Sequence, residues 1–337
     1  MKLRLLIPAL LASVGLALAG CGGSGSEPAG SGDASSPAAA AVTVDTMFGA
    51  VTIPAPEDGT LDVVALGWSD AEMALAVGVK PVAVFDWQSF GEPNKGVGPW
   101  ATSLFGDVKP TVIPQTQQTL NYEQIQSLNP DVILNVRAAN DKATYDRLSE
   151  IAPTVYAPAD TPAFATDWEV QLATIGKALS KSEEATKVAV DVNAKIKAAA
   201  SPDFKDVKVA SAAKFGDAYG AYLPGDGRFD ILGDLGFVNN PPIESLQSNG
   251  FFATVPAEKI STLDTDVTII QPIGFTLAQT KADPLIASLK VVKDGRAIFL
   301  DPDSELYGAW GASSALSIPV VLDQLTPQLT EAVEKLG

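Results

Sequence analysis

The 337-residue sequence contains no histidine. That absence removes Ser-His-Asp and Cys-His catalysis, HExxH zinc chemistry and His-ligated haem, since each needs an imidazole as proton carrier or neutral nitrogen ligand. Cysteine is almost as scarce. A single residue, Cys21, excludes an intrachain disulfide. Positive charge is short as well: 23 Lys and Arg face 40 Asp and Glu, a net charge of −17. So acidic a chain repels phosphate and lacks the basic stripe of a nucleic-acid binder, so no nucleic-acid partner is expected. With 46% hydrophobic residues the chain can fill cores, and its length exceeds what one core usually serves, which predicts two domains.

The lone cysteine has a context. Lys2 and Arg4 form a basic start, Leu5 to Leu18 is an apolar run, and Leu18-Ala19-Gly20 precede Cys21. Residues 1–20 therefore read as a secretory signal peptide, too short and too close to the N-terminus for a permanent membrane helix. Leu-Ala-Gly-Cys resembles a bacterial lipobox, which implies lipidation of Cys21 and an extracytoplasmic protein anchored to the cell membrane. From Gly22 to Ala41, eighteen of twenty residues are Gly, Ser, Ala or Pro. Such a stretch forms no core, so residues 21–44 are expected to act as a flexible linker.

The remainder alternates strand and helix. Leu61–Leu66 is a buried parallel strand by its continuous apolar run, and Gly67-Trp68-Ser69-Asp70 supplies a turn and cap for a helix over Ala71–Val77. Strands are predicted at Pro81–Phe85, Asp131–Val136 and Thr154–Ala157, with helices ending near Leu128 and spanning Asp141–Ile151. Residues 166–200 contain no proline and carry apolar residues at helical spacing, which predicts one long helix and leaves open a nick near Ser182. Beyond it come strands at Val207–Ala213, Val267–Gln271 and Ala297–Leu300, and helices over Arg228–Leu235 and Ser314–Leu336. The expected fold is α/β: two parallel-sheet lobes, 45–165 and 201–337, bridged by the long helix, with a ligand cleft between them.

An internal repeat supports two equivalent lobes. Residues 122–132 and 257–267 match at Glu, Ile, Leu, Asp and Val with a constant offset of 135. Each copy reads helix, tight turn, buried strand, and each presents one Glu, Glu123 or Glu258, at the start of its helix. A carboxylate there also suits the positive end of the helix without any further role.

Five segments in order, LDVVALGWSDAEMALAVGVKPVAVFDW, TLNYEQIQSLNPDVIL, YDRLSEIAPTVY, YLPGDGRFDILGDLGF and TVPAEKISTLDTDVTII, together resemble the iron-siderophore substrate-binding lipoproteins of ABC importers, relatives of the vitamin B12-binding protein. The similarity covers about residues 45–337. It implies two α/β lobes joined by one helix, a ferric siderophore as ligand, no catalytic activity, no resident cofactor or directly bound metal, and a monomer. It further implies that Glu123 and Glu258 dock onto arginines of the ABC permease subunits.

In open α/β sheets ligands sit beyond the carboxyl ends of strands. That places Trp68, Trp87, Trp100 and Trp310, with Phe215, Tyr219, Tyr222, Phe275 and Tyr307, as candidates for the cleft, where flat rings cover an organic envelope at little entropic cost. Loop aromatics also pack onto the lobe beneath them, and that alternative stays open for each. Arg137 and Arg228 follow strand and loop so as to pair with chelate oxygens, whereas Lys95, Lys142 and Lys214 serve equally well as solvated charges. With so few cations, a hydroxamate or mixed-ligand chelate of low charge suits the cleft better than a triply negative catecholate complex. Two other readings remain: the same scaffold holding vitamin B12 or a haem ligated by Tyr219 or Tyr307, and a secreted hydrolase drawing on Asp217, Asp226, Asp230 and Asp234.

Overall fold

The computed structural model describes residues 40–56, 59–115 and 120–337. The signal peptide, Cys21 and most of the linker lie outside the described residues. The described residues open with a hairpin of β1 (Val42–Thr46) and β2 (Gly49–Ile53), whose alternating pattern buries Val44, Val51 and Ile53. It starts three residues ahead of the expected lobe boundary.

The first lobe is built on β3 (Val63–Ala65), α1 (Asp70–Ala76), β4 (Ala83–Asp86), α2 (Pro99–Thr102), β5 (Thr111–Pro114), α3 (Tyr122–Ser127), β6 (Val132–Leu134), α4 (Lys142–Ser149) and β7 (Thr154–Val155). Its five strands run in the order β5-β4-β3-β6-β7, all parallel. Chain order reverses around β3, so the loops after β3, β4 and β6 open onto the crevice where such sheets hold ligands. Strand β5, flanked by Pro110 and Pro114, lies in the stretch that reads from sequence as a long loop; it is an edge strand, where proline is tolerated.

The bridge differs from the expected single rod. It consists of α5 (Trp168–Ala178) and α6 (Ser182–Ala199). The Asn193 amide donates to Glu169 Oε1 at 2.9 Å across 24 residues. On one straight helix these residues would stand about 36 Å apart, so the pair must fold back as a hairpin. Ser180 takes φ 58°, and the N–H groups of Ser180 and Lys181 close back onto the carbonyls of Lys177 and Gly176. That is a left-handed helix cap, usually marked by glycine, and a serine in its place leaves no signal in the sequence.

The second lobe contains β8 (Lys208–Phe215), β9 (Ala218–Tyr222), α7 (Gly227–Asp234), β10 (Val238–Asn239), α8 (Pro241–Glu244), β11 (Ser248–Asn249), β12 (Phe252–Val255), β13 (Val267–Ile273), α9 (Leu277–Lys281), α10 (Pro284–Ser288), α11 (Lys290–Lys293), β14 (Ala297–Phe299), α12 (Glu305–Ala312) and α13 (Ile318–Glu334). The sheet is mixed, not purely parallel. Strands β8, β13, β14 and β10 are parallel, but β9 returns antiparallel on β8 and β12 on β9. Gly216-Asp217 forms the two-residue turn between β8 and β9, a recognised hairpin signal, so that Ala218–Tyr222 is a strand where the sequence reads as part of a loop leading to Arg228.

The repeat survives in three dimensions. Asp131 accepts the Asp62 N–H just before β3 at 2.8 Å, and Asp266 accepts the Lys208 N–H at the start of β8 at 3.0 Å. In each lobe the repeated Asp therefore anchors the neighbouring strand. The preceding helices differ: the first is α3, and the second, Ala257–Leu263, is wound as a 3₁₀-helix.

A buried polar junction joins the lobes. Ser69, expected to help cap α1, instead donates to the Ala312 carbonyl at 2.8 Å, and the Arg137 guanidinium donates to the same carbonyl at 2.7 Å. Glu72 of α1 accepts from Gly98 N–H, from Trp100 Nε1 at 2.9 Å and from the Ser314 hydroxyl. Asp70 accepts from Val136 N–H at 2.7 Å and from the Gln171 amide at 2.6 Å. Gly67 is required beneath it, since a Cβ there would sit 2.3 Å from the Asp70 carboxylate.

Burial raises the Asp70 carboxyl to about 6 and moves Glu72 in the same direction. The folded protein thus holds these protons more tightly than the unfolded chain. The contribution of Asp70 to stability is complete below about pH 4 and is lost as pH rises through about 6, and that of Glu72 changes in the same sense. Urea unfolding should show stability falling by about 2 to 3 kcal/mol from Asp70 between about pH 4 and 7, and Asp70→Asn should flatten part of that slope. A wild-type profile that is level across this range would count against the assignment.

Candidate functional site

Between the lobes lies a cavity of about 570 Å³, within the range of sites for small organic ligands. The first lobe supplies Trp68 after β3, Trp87 and Gln88 after β4, and Gln115 after β5. The second lobe supplies Phe215 and Tyr222 from β8 and β9, Phe251, Phe252, Gln271, Ile273, Arg228, and Tyr307 and Gly311 of α12.

The walls are ordered by stacking. Trp68 and Trp87 lie parallel, centroids 4.5 Å apart at 7°, and Phe164 covers the Trp68 ring at 4.4 Å. Opposite, Phe252 meets Phe215 at 5.5 Å and Tyr222 at 5.1 Å, both edge-on. Gly220 makes room for this cluster, because a Cβ there would overlap the Phe252 ring at 2.1 Å.

Arg228 is the cation of the cavity. Its Nε and Nη2 donate to the two oxygens of Asp226, each at 2.7 Å, and its guanidinium lies 3.6 Å from the centre of the Tyr222 ring. Burial disfavours the charge, but the Asp226 carboxylate, together with Tyr222 and Tyr307, outweighs that cost and holds Arg228 above its usual pKa. Burial pushes the Tyr222 phenol up as well. The pair Arg228–Asp226 is therefore locally neutral. Around it stand neutral hydrogen-bonding groups: Gln88, whose amide donates to the Gly308 carbonyl at 3.1 Å, Gln115, and Gln271, whose buried Oε1 has no partner among the described residues.

Trp68, Trp87, Phe215, Tyr222, Arg228 and Tyr307 thus meet at one cavity. The other candidates do not line it. Trp100 is held by Glu72 and by an edge contact to Phe90 at the lobe junction, and Trp310 is 1% exposed in the core. Tyr219 is three residues from Tyr222 on β9 and so faces the other side of the sheet, where its hydroxyl donates to Asp283. Lys214 joins Tyr219 and Asp283 there, with Phe275 at 5.0 Å from its ammonium. That removes Tyr219 as a haem ligand, and the Tyr307 hydroxyl is committed to the Pro272 carbonyl at 2.7 Å. Arg137 is fully buried; its Nε and Nη1 are taken by the carbonyls of Phe164 and Ala312, and burial lowers its pKa to about 10. It belongs to a second cavity of about 300 Å³ in the first lobe, which shares Trp68 with the first.

Sequence reasoning missed Gln88, Gln115, Gln271, Ile273, Gly311 and the Phe251-Phe252 pair. Of these, only Phe251-Phe252 carried a usable signal, two aromatics just after a glycine at a strand start. The carboxylates of the hydrolase reading have other tasks: Asp226 pairs with Arg228, and Asp230 accepts the Gly225 N–H. Among the described residues no group of three or more Asp, Glu or Cys is arranged to hold a metal ion.

Residues 63–304 match the Periplasmic binding protein family. A periplasmic solute binding protein from Mycobacterium smegmatis superposes with a TM-score of 0.75 at 33% identity, covering 87% of this chain and 99% of that one. The Streptococcus pneumoniae protein PiaA in complex with ferrichrome superposes with a TM-score of 0.74 at 23% identity, again over 87% of this chain and 99% of that one. Among curated proteins, the petrobactin-binding protein YclQ of Bacillus subtilis is 22% identical over 76% of this chain and 83% of its own length.

Asp226 is wholly buried, so removing its partner strands a charge. Arg228→Met should destabilise the protein by about 3 to 5 kcal/mol in urea unfolding, and adding Asp226→Leu should recover most of that loss. Equal losses in the single and double variants would mean that the pair is not coupled as described.

Proposed function

We propose, from the premise that this chain belongs to the periplasmic binding protein family, that it captures a ferric siderophore in the interlobe cavity and hands it to an ABC importer. The observation that carries the reading is the cavity itself: two aromatic walls from opposite lobes, three neutral amides and a single cation already neutralised by Asp226. Such a surface suits a bulky organic envelope with outward carbonyl oxygens. It offers no surplus positive charge for a triply anionic guest. A ferric ion bound by three hydroxamates is neutral, and we therefore favour a hydroxamate or mixed-ligand chelate of low charge. The PiaA–ferrichrome and petrobactin-binding relatives support a ferric chelate as the cargo class.

Delivery requires presentation at the membrane. We read Cys21 as the lipid-bearing residue, with the Gly/Ser/Ala/Pro-rich stretch as tether, so that the body works as a monomer at the outer face of the cell membrane. Glu123 and Glu258 are exposed on α3 and on the 3₁₀-helix of the repeat, and no ion pair engages either among the described residues. Their equivalent placement in the two lobes supports a docking role toward permease cations.

Titration with a neutral ferric trihydroxamate should quench intrinsic tryptophan fluorescence, because Trp68 and Trp87 face the cavity. Trp87→Ala should weaken binding by about 1 to 3 kcal/mol with little change in thermal stability. Tyr222→Ala should cost both, since Tyr222 also supports Arg228. No binding of any ferric chelate by the wild type would end this reading.

The docking reading has its own test. Glu123→Ala together with Glu258→Ala should strongly reduce siderophore uptake by cells while affinity in solution stays within a factor of about three, because rim charges set orientation and encounter more than ligand affinity. Wild-type uptake at normal surface levels would return both residues to their place at helix starts.

A further inference from the structure

The second cavity of the first lobe, about 300 Å³, shares one lining residue with the interlobe cavity: Trp68 is a wall of both. Leu66, Phe85, Leu120 and Phe164 give it an apolar body. Its polar end is built from buried groups with unused capacity. Asn135, 6% exposed, donates through its amide to the Tyr156 hydroxyl at 2.7 Å, and among the described residues the Asn135 Oδ1 and the Tyr156 O–H proton have no partner. Arg137 adds an Nη2 that makes no hydrogen bond among the described residues, while its Nε and one N–H of Nη1 are taken. The ring shared by the two cavities is held by stacking on Trp87 and Phe164 and by the Arg137 guanidinium, 5.9 Å from its centre. Among the described residues its indole N–H makes no hydrogen bond. Its backbone is fixed instead, by Arg137 O and by the Gln171 amide.

We propose that this cavity is a second compartment of the ligand site, entered by displacing the Trp68 ring, and that it receives a neutral arm of the chelate ending in an acyl or amide carbonyl. The proposal rests on the chelate reading above. The unused donors of Tyr156 and Arg137 select an acceptor. An anionic end is disfavoured because Asp141 also lines the cavity and Asp70 lies beside Arg137, contributing to its electrostatics. The protein would then distinguish compact chelates, held wholly by the interlobe cavity, from those with a pendant arm.

The test compares a compact cyclic ferric trihydroxamate with a linear ferric trihydroxamate acetylated at its end amine. Tyr156→Phe keeps the ring and removes the donor, and should weaken the acetylated chelate about fivefold while leaving the cyclic one within twofold. Ala138→Leu, which fills part of the cavity, should weaken the acetylated chelate about tenfold with the cyclic one again little changed. Trp68→Ala should raise the affinity ratio of acetylated to cyclic chelate. Equal effects on the two chelates, or none on either, would overturn the compartment while leaving the chelate reading intact. If the wild type binds neither chelate, the chelate reading fails, and the compartment is judged with the neutral fluorophore N-phenyl-1-naphthylamine. Enhanced fluorescence that Ala138→Leu abolishes supports the compartment, and enhancement that survives this variant overturns it.

Discussion

The fold depends on a polar junction buried where its two lobes meet. Helix α1 is only seven residues long, yet it carries two wholly buried carboxylates. Neither has a side-chain cation in direct contact. Their cost is met by backbone N–H groups, an indole, an amide and a hydroxyl, so the junction is held by direction as well as by apolar contact. The donors come from both sides: Val136 of the first lobe and Gln171 of the bridge hold Asp70, while Ser314, just past the end of α12, donates to Glu72; the Ala312 carbonyl there accepts from Ser69 and Arg137 of the first lobe. A hydrogen bond fails over a fraction of its length, whereas apolar surfaces slide. The relative placement of the two cavity walls is thereby fixed to the same tolerance as the junction.

Most of the architecture was legible because parallel α/β units write themselves plainly. A continuous apolar strand, a turn and an amphipathic helix recur in both lobes, and the repeat at offset 135 marked the same unit twice, down to the Asp that anchors the adjacent strand. What stayed hidden depended on single backbone angles. Ser180 breaks the bridge with a left-handed conformation that serine seldom adopts, so helical periodicity runs through it unbroken. Gly216-Asp217 reverses the chain at a point where a βα unit was the natural continuation, and the one turn converts a parallel sheet into a mixed one.

The site was legible to the level of residue type and strand end, and no further. Of the six proposed residues that share the cavity, Trp68, Trp87 and Phe215 follow the rule of strand carboxyl ends, whereas Tyr222 comes from the antiparallel β9 and Arg228 and Tyr307 from helices. Those it misplaced were lost to alternation and to competition. Tyr219 and Tyr222 are close in sequence but stand on opposite faces of β9, and Trp100 and Arg137 are drawn into the junction by carboxylates and carbonyls that only tertiary structure brings near. The three glutamines gave no sign at all, since an amide after a strand is ordinary in any loop. They nevertheless supply much of the cavity's polar character.

That character bears on selectivity through charge at two ranges. At long range the net charge of −17 repels an anionic chelate before contact. At short range the one guanidinium facing the cavity already has both oxygens of Asp226, so a ligand anion would have to compete with a bidentate buried partner for it. A neutral chelate meets neither obstacle. It can take the remaining donors of Arg228 and the glutamine amides as ordinary hydrogen bonds while Trp87, Phe252 and Tyr307 cover its apolar perimeter. Selection then follows shape and the positions of outward oxygens, properties that the stacked Trp68–Trp87 wall on one lobe and the aromatic cluster on the other are rigid enough to read.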